Sequence, residues 1–145
     1  MKVIKGDLVK QAEQFDVIVH GCNCFCTMNS GIAPQIKSKF PEAYEVDCRT
    51  TKGDRNKLGT ISFTKNTIPI VVNAYTQYRY GTYKRQVDYD ALRSCMRLLK
   101  ETFSGKKIGL PKIGAGLAGG NWEVISKIIE EELKDEDVTV ILWNK

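Results

Sequence analysis

The sequence contains no long apolar run and no long basic run. None of its hydrophobic stretches approaches the roughly 20 residues that a membrane helix needs. Residues 1–7 lack the apolar core of a signal peptide. We therefore expect a cytoplasmic protein that has no membrane partner. The formal net charge of +5 favours an anionic ligand but does not by itself indicate nucleic acid.

Histidine is nearly absent, with one in the chain, and the number of cysteines is odd, at five. Without a secretion signal, we interpret the cysteines as reduced thiols. Cys22, Cys24 and Cys26 alternate and could join Cys48 around zinc. Paired zinc ligands are usually separated by at least two residues, however, so small, partly buried side chains are the favoured interpretation. We predict no metal site and no cofactor.

The 145 residues predict a single domain, 1–145, in which strands and helices alternate. Short β-branched runs predict strands at 2–5, 15–20, 59–63, 68–75, 107–110 and 138–143. Helical spacing of apolar residues predicts helices at 31–40, 88–103 and 121–133, and a short one near 43–49. Ser30 is expected to cap the first helix and Pro41 to end it. This alternation is typical of an α/β layered fold with a mostly parallel central sheet.

Two loops run from a buried strand into the start of a helix, at 21–30 and at 112–120. The second loop holds Gly114, Gly116, Gly119 and Gly120. Glycine lets backbone N–H groups approach a ligand closely, and a helix N-terminus favours an anion. Two such loops side by side could hold a pyrophosphate, whereas a single one could be a plain tight connection. Neither has the spacing of a P-loop.

His20 and Asn23 lie at the mouth of the first loop. The near-neutral pKa of histidine makes His20 the natural acid/base candidate, and a histidine bonded to backbone at a strand end is the alternative. Asn23 suits a sugar hydroxyl, or it is simply an Asx-turn residue.

Aromatic and basic residues interleave in the loop at 76–86. The tyrosines Tyr75, Tyr78, Tyr80 and Tyr83 alternate with the cations Arg79, Lys84 and Arg85. This pattern is open to three interpretations: a stacking surface for single-stranded nucleic acid, a loop that closes on a phosphorylated small molecule, or a solvated loop packed on the core.

Four segments together resemble the macro domain family, in the order and spacing of that family. They are 5–8 (Lys-Gly-Asp-Leu), 16–23, 30–33 (Ser-Gly-Ile-Ala) and 110–117 (Leu-Pro-Lys-Ile-Gly-Ala-Gly-Leu). The resemblance covers nearly the whole chain. It implies a three-layer α/β/α sandwich around a six-stranded mixed sheet, with a cleft for ADP-ribose.

The resemblance also implies roles for individual residues. Asp7 corresponds to the carboxylate that accepts from the adenine amino group, and Asn23 to the residue that binds the distal ribose. The other implied ligand-binding positions are Leu8 in the adenine pocket, Ser30, Gly31 and Ile32 at the pyrophosphate, Gly114, Ala115, Gly116, Leu117 and Ala118 in the second phosphate loop, and Trp143 and Asn144 beside the adenine.

Within the family, the run His20-Gly21-Cys22-Asn23-Cys24 is similar to the yeast-type ADP-ribose 1''-phosphate phosphatase. The terminal ADP-ribose glycohydrolase branch keeps an acidic residue where this chain has Ala118. The resemblance therefore implies hydrolysis of ADP-ribose 1''-phosphate, with His20 as acid/base and Asn23 orienting the ribose. The alternatives are a non-catalytic ADP-ribose reader and a hydrolase that removes ADP-ribose from proteins. Expected partners are ADP-ribose, its 1''-phosphate or an ADP-ribosylated protein, rather than nucleic acid.

Overall fold

A computed structural model describes residues 1–80, 86–116 and 118–143. These residues form one six-stranded sheet flanked by helices. The strands are β1 (Lys2–Gly6), β2 (Val17–Cys22), β3 (Ile61–Phe63), β4 (Ile70–Tyr75), β5 (Lys107–Leu110) and β6 (Asp137–Trp143). The helices are α1 (Ala33–Lys39), α2 (Pro41–Cys48), α3 (Tyr89–Phe103) and α4 (Trp122–Glu132).

The sheet is mixed, with the strand order β1-β6-β5-β2-β4-β3. All neighbouring pairs are parallel except β3 and β4, which are antiparallel. Parallel strands need crossover connections, and α3 and α4 lie on such connections. The carboxyl ends of the five parallel strands therefore meet at one edge of the sheet, where ligands bind in open α/β folds.

Helices cover both faces of the sheet and give the three-layer α/β/α sandwich that the resemblance implied. Side chains of β2 alternate between the layers: Val17 and Val19 pack in the larger core with α3 and α4, and Ile18 packs with Ile36 of α1. The central strands β2 and β4 are buried on both faces, which explains their near-continuous apolar sequence.

Two of the described α-helices begin at a capping side chain, whereas the first helix does not. Asp88 caps α3 by accepting from the Ala91 N–H at 3.0 Å, and Asn121 caps α4 by accepting from the Glu123 N–H at 2.9 Å. The prediction that Ser30 caps the first helix is wrong, because α1 begins at Ala33 and no side chain bonds its first turn. Pro41 separates α1 from α2 by occupying the first position of α2, where its missing N–H costs little.

Within the described ranges, every helix is too short or too polar to span a lipid bilayer.

Candidate ligand-binding cleft

A cleft of about 870 Å³ opens at the carboxyl ends of the parallel strands. Most of its lining comes from residues that directly follow β1, β2 and β5, together with the end of β6. The described lining residues are Asp7, Leu8, Gly21, Cys22, Asn23, Thr27, Asn29, Ser30, Gly31, Ile32, Ala33, Gln35, Gln77, Tyr80, Pro111, Lys112, Ile113, Gly114, Ala115, Gly116, Ala118, Ile141 and Trp143. The volume is in the range of pockets that take a whole small molecule.

The first wall is the loop between β2 and α1, and Asn23 shapes it. The Asn23 Oδ1 accepts from the Phe25 N–H at 2.8 Å, and its Nδ2 donates to Thr27 Oγ1 at 2.7 Å. These bonds form the Asx turn that the sequence allowed. Asn23 also lines the cleft, so the turn and a contact with a ligand are compatible roles.

The second wall is the glycine loop after β5. The structural reason for having glycine differs from one position of this loop to the next. Gly114 has φ +77°, and a Cβ there would lie 2.9 Å from Val87 Cγ2. A Cβ on Gly120 would meet the carbonyl oxygen of Gly114 at 2.6 Å. Gly116 lines the cleft, yet a Cβ there would meet none of the described residues beyond its chain neighbours within 4 Å, and its φ is not left-handed. The fold thus requires Gly114 and Gly120 but leaves Gly116 unexplained by internal packing.

The two walls present backbone donors that nothing in the described chain accepts. Among residues 1–80, 86–116 and 118–143, the N–H groups of Gly31, Ile32, Gly114 and Gly116 have no hydrogen-bond acceptor. Gly31 lies in the left-handed region, at φ +63°. Unpaired N–H groups on loops that start helices form an anion-binding concavity. The cleft is therefore chemically suited to a phosphate or pyrophosphate.

One end of the cleft is formed by Asp7 and the carboxyl end of β6. The Asp7 Oδ1 accepts from the N–H groups of Val9 and Lys10, both at 3.1 Å, and this bonding fixes the turn after β1. Leu8 and Ile141 are buried beside it, whereas Trp143 is 66% exposed. A carboxylate beside an apolar floor and an exposed indole suits a flat base that carries an amino group.

His20 lies in the interior, and its surroundings argue against the predicted acid/base role. The side chain has no exposed surface and is not part of the cleft lining. Its Nε2–H donates to Asn73 Oδ1 at 2.7 Å, and Asn73 Nδ2 donates to the Ala43 carbonyl oxygen at 3.0 Å. Burial lowers the pKa of His20 from 6.5 to about 4, and the hydrogen bond with Asn73 opposes this only in part. A neutral, enclosed imidazole cannot exchange protons with a ligand in the cleft.

The depth of His20 follows from the true length of β2. The strand does not end at His20 but continues to Cys22, which pairs with Tyr75. Cys22 therefore takes the position at the cleft, and its Sγ lies 3.6 Å from His20 Nε2. Burial raises the pKa of Cys22 well above its ordinary value, so this thiol stays protonated.

The buried imidazole leads to a first prediction, which concerns the pH dependence of the free energy of unfolding. Between pH 6.5 and about 4 the unfolded chain binds a proton at His20 that the folded chain does not. The contribution of the neutral, buried His20 to the free energy of unfolding is therefore fully present above pH 6.5. It is lost as the pH drops towards 4, by about 3 kcal/mol at most. Urea unfolding at a series of pH values should show this loss in wild type, and His20→Gln should lack it. Burial also raises the pKa of Asp47. The pH dependence that Asp47 adds is the same in both proteins, so it cancels when their free energies of unfolding are subtracted. Identical pH profiles for the two proteins would contradict the assignment.

The structure adds residues to the site and leaves some predictions untested. Gln35, Thr27 and Gln77 line the cleft but were not singled out from the sequence, since isolated polar residues carry no distinguishing pattern. Leu117 and Asn144, and Tyr83, Lys84 and Arg85 of the aromatic loop, lie outside the described residues. Of the other predicted ligand-binding residues, all line the cleft.

Comparison with known proteins agrees with this geometry. The model of the Macro domain family matches residues 19–129. An uncharacterized 17.5 kDa protein in the tk-vs intergenic region of Enterobacteria phage T4 is 36% identical, over 99% of this chain and 96% of that protein. The bovine ADP-ribose glycohydrolase OARD1 is 27% identical, over 97% of this chain and 88% of its own.

Two further comparisons extend this picture. The ADP-ribose 1''-phosphate phosphatase of Candida albicans is 26% identical, over 90% of this chain and 92% of its own. Among solved structures, the macrodomain of Thermus aquaticus DarG superposes with a TM-score of 0.75 at 19% identity, over 99% of this chain and 97% of that one. The named relatives are hydrolases of ADP-ribose derivatives, and the structural match supports the fold.

Proposed function

Because the chain belongs to the macro domain family, we propose that its cleft binds ADP-ribose and that the protein hydrolyses ADP-ribose 1''-phosphate to ADP-ribose and phosphate. The observation that carries the proposal is a set of N–H groups on two facing loops, at Gly31, Ile32, Gly114 and Gly116, for which the described part of the chain offers no acceptor. A diphosphate is the anion that two such loops can share. The name of the relative from Candida albicans supports the choice of the 1''-phosphate.

The residues at the two ends of the cleft indicate the orientation in which ADP-ribose would bind. Asp7 and Trp143 suit the adenine at one end, since the carboxylate accepts from an exocyclic amino group and the indole can cover the base. Asn23 follows β2 on the first wall and would orient the distal ribose through its amide. In this arrangement the 1'' carbon of that ribose lies at the end of the ligand away from the adenine. Gln77 and Tyr80 also line the cleft.

The proposed hydrolysis depends on positioning rather than on a histidine. The oxygen of a water molecule attacks phosphorus, and the bond between phosphorus and the 1'' oxygen breaks. One proton of that water passes to the 1'' oxygen, and the remaining hydroxyl stays on the released phosphate. Among the described lining residues, Asp7 contributes the one carboxylate, and it belongs to the adenine end. Backbone N–H groups and the Asn23 amide would stabilise charge on the transferring group, as fixed dipoles do in water-excluded sites.

The test is incubation with ADP-ribose 1''-phosphate, following phosphate and ADP-ribose together. We expect both products in equal amounts, a rate that His20→Gln leaves within about threefold, and a loss of at least about tenfold in Asn23→Ala, in line with removal of one positioned donor. Circular dichroism controls for folding of both variants. A strong loss in a folded His20→Gln would restore an acid/base role for the imidazole and overturn this mechanism.

A reader without catalysis is the second candidate, and one observation favours it. Ala118 is buried in the lining at the position where the glycohydrolase branch carries an acid. The same incubation separates the two candidates, because a reader binds ADP-ribose 1''-phosphate and releases no phosphate above the uncatalysed rate. Removal of ADP-ribose from a protein is a third outcome, measured on an ester-linked substrate.

A further inference from the structure

A positive charge on the wall of the cleft has no role in the proposed function. Among the described lining residues, Lys112 is the one cation and Asp7 the one anion. The Lys112 side chain is exposed, and within the described ranges its ammonium group forms no ion pair with a carboxylate. Lys100, by contrast, lies 3.8 Å from a carboxylate oxygen of Glu136. The charge of Lys112 is therefore available to an anionic group of a ligand.

The Lys112 side chain lies beside an aromatic ring rather than an acid. Its Nζ is 5.7 Å from the centroid of the Trp122 ring, at the first position of α4. A cation–π contact at an exposed site is weak and leaves the charge in place. The backbone at Lys112 is fixed by short turns, since its carbonyl oxygen accepts from the Ala115 N–H at 3.2 Å. The ammonium group thus sits on a flexible side chain with a fixed origin, and it can leave the indole for a phosphate within reach.

The strand order places Lys112 on the adenine side of the cleft. The strands β1, β6 and β5 are neighbours, and Lys112 is the second residue after β5. Leu110 pairs with Val140 of β6, which brings Lys112 level with the carboxyl end of that strand. Asp7 follows β1, so it lies about two strand spacings from Lys112, roughly 10 Å. This separation is about the length of an adenosine, from its amino group to the oxygens of its ribose.

In the proposed binding mode, the diphosphate has donors other than Lys112. They are the backbone N–H groups of the two walls, at Gly31, Ile32, Gly114 and Gly116. The ribose of the adenosine lies between the adenine and the diphosphate, and its 2' and 3' oxygens are the positions there that can carry a further phosphate. Dinucleotide-binding folds accommodate a phosphate on the 2' oxygen with a nearby cationic side chain. The unpaired charge of Lys112 suits the same task.

We propose that Lys112 makes the cleft selective for ADP-ribose whose adenosine ribose carries a phosphate on its 2' or 3' oxygen. The proposal rests on the proposed function, since the adenine must lie beside Asp7 for the ribose to lie near Lys112. The ammonium group contacts the added phosphate as a compact point charge with three donors. A ribose without that phosphate is uncharged and leaves the ammonium group beside Trp122. The substrate class of the cleft is then a ribose-phosphorylated form of ADP-ribose.

The test is calorimetric titration with ADP-ribose and with three shorter probes: ADP, ADP with a 2'-phosphate and ADP with a 3'-phosphate. The shorter probes differ from one another only at the adenosine ribose. We expect at least one phosphorylated probe to bind about tenfold more tightly than ADP at low salt, in line with one hydrogen bond to a charged group. The isomer that gains affinity identifies the oxygen beside Lys112. The gain should shrink as salt is added, because the charge is exposed and is screened.

Matched variants assign the gain to Lys112. Lys112→Met keeps a long, flexible side chain without its charge and should abolish the gain, so that ADP and its phosphorylated forms bind equally. Lys112→Arg keeps the charge and should keep the gain. Lys127→Met removes the same charge from the exposed side of α4, outside the cleft, and should leave the gain unchanged. Circular dichroism controls for the folding of each variant.

The outcomes separate the two proposals. If ADP-ribose shows no saturable binding, the proposed function fails. If ADP-ribose binds but neither phosphorylated probe binds more tightly than ADP, the selectivity proposal is overturned and the proposed function stands. A gain that survives in folded Lys112→Met also overturns it. If that variant weakens ADP and the phosphorylated probes by the same factor, Lys112 acts on the diphosphate instead.

Discussion

Gly116→Val is expected to lower the affinity for ADP-ribose about 100-fold without lowering the free energy of unfolding. Apart from its chain neighbours, a Cβ at Gly116 meets no atom of the described residues within 4 Å, so the described part of the fold accepts a side chain there. The space that it enters belongs to the cleft, beside an N–H that no described residue accepts from. The loss of about two hydrogen bonds to a charged oxygen corresponds to roughly 3 kcal/mol, which is about 100-fold. Calorimetric titration and urea unfolding give the two quantities.

Gly120→Ala is the matched contrast in the same loop. Its Cβ would meet the Gly114 carbonyl oxygen and Val87 Cγ1, both at 2.6 Å, so we expect a loss of about 1–3 kcal/mol of stability from overpacking. Comparing Gly116→Val with Gly120→Ala distinguishes a glycine that is required for ligand binding from one that is required for the stability of the fold.

If Gly116→Val binds ADP-ribose as tightly as wild type, the glycine loop does not contact the diphosphate.

Asp7→Asn is expected to weaken ADP-ribose binding about 10- to 30-fold and to change the choice of base. In the proposed binding mode the carboxylate accepts from the adenine amino group, and a hydrogen bond to a charged group is worth about 1.5–3 kcal/mol. Wild type should discriminate strongly against the hypoxanthine analogue of ADP-ribose, which has a carbonyl oxygen in place of the amino group. The asparagine amide can donate to that oxygen, so the variant should lose most of the discrimination.

Asparagine is chosen because it preserves the local structure. The Asp7 Oδ1 accepts from the Val9 and Lys10 N–H groups, and an amide oxygen can do the same. The unfolding midpoint should therefore change little, and Asp7→Ala, which removes the turn acceptor, should lower both stability and binding. Equal discrimination between the two bases by wild type and Asp7→Asn would place the adenine elsewhere.

The sequence predicts the elements and the two phosphate-type loops because these depend on local patterns. Apolar periodicities located every strand and α-helix of the described chain to within a few residues, but not the short 3-10 helices at Ala12–Gln14 and Arg55–Lys57. The two loops between strand and helix at 21–30 and 112–120 indeed face each other across the cleft, since the strands before them are parallel neighbours in the sheet.

The predicted position of His20 at the end of its strand is wrong, for a reason that local patterns cannot reveal. The predicted strand ended at His20, which would place the imidazole at the mouth of the loop. Pairing with Tyr75 carries β2 on to Cys22, and that pairing depends on a strand about 50 residues away. The partner of the imidazole, Asn73, lies on the same neighbouring strand, so neither the burial nor the neutral state of His20 could be derived from its own segment.

The aromatic contacts beside the cleft and the different roles of the glycines are non-local in the same sense. Phe25, Arg55 and Tyr78 come from three separate segments of the chain, and nothing in the spacing of these residues brings them together. Gly116 and Gly120 look alike in the sequence. They differ only because the carbonyl of Gly114 and the side chain of Val87 approach the second of them.

Isothermal titration of the folded wild-type protein with ADP-ribose tests the central claim most directly. The claim is that the cleft between the two loops is an ADP-ribose site. We expect one saturable site per chain with a dissociation constant on the order of 1–10 μM, about 7–8 kcal/mol of binding free energy. The absence of saturable heat up to about 1 mM ADP-ribose, where the free energy would be weaker than about 4 kcal/mol, would contradict the claim.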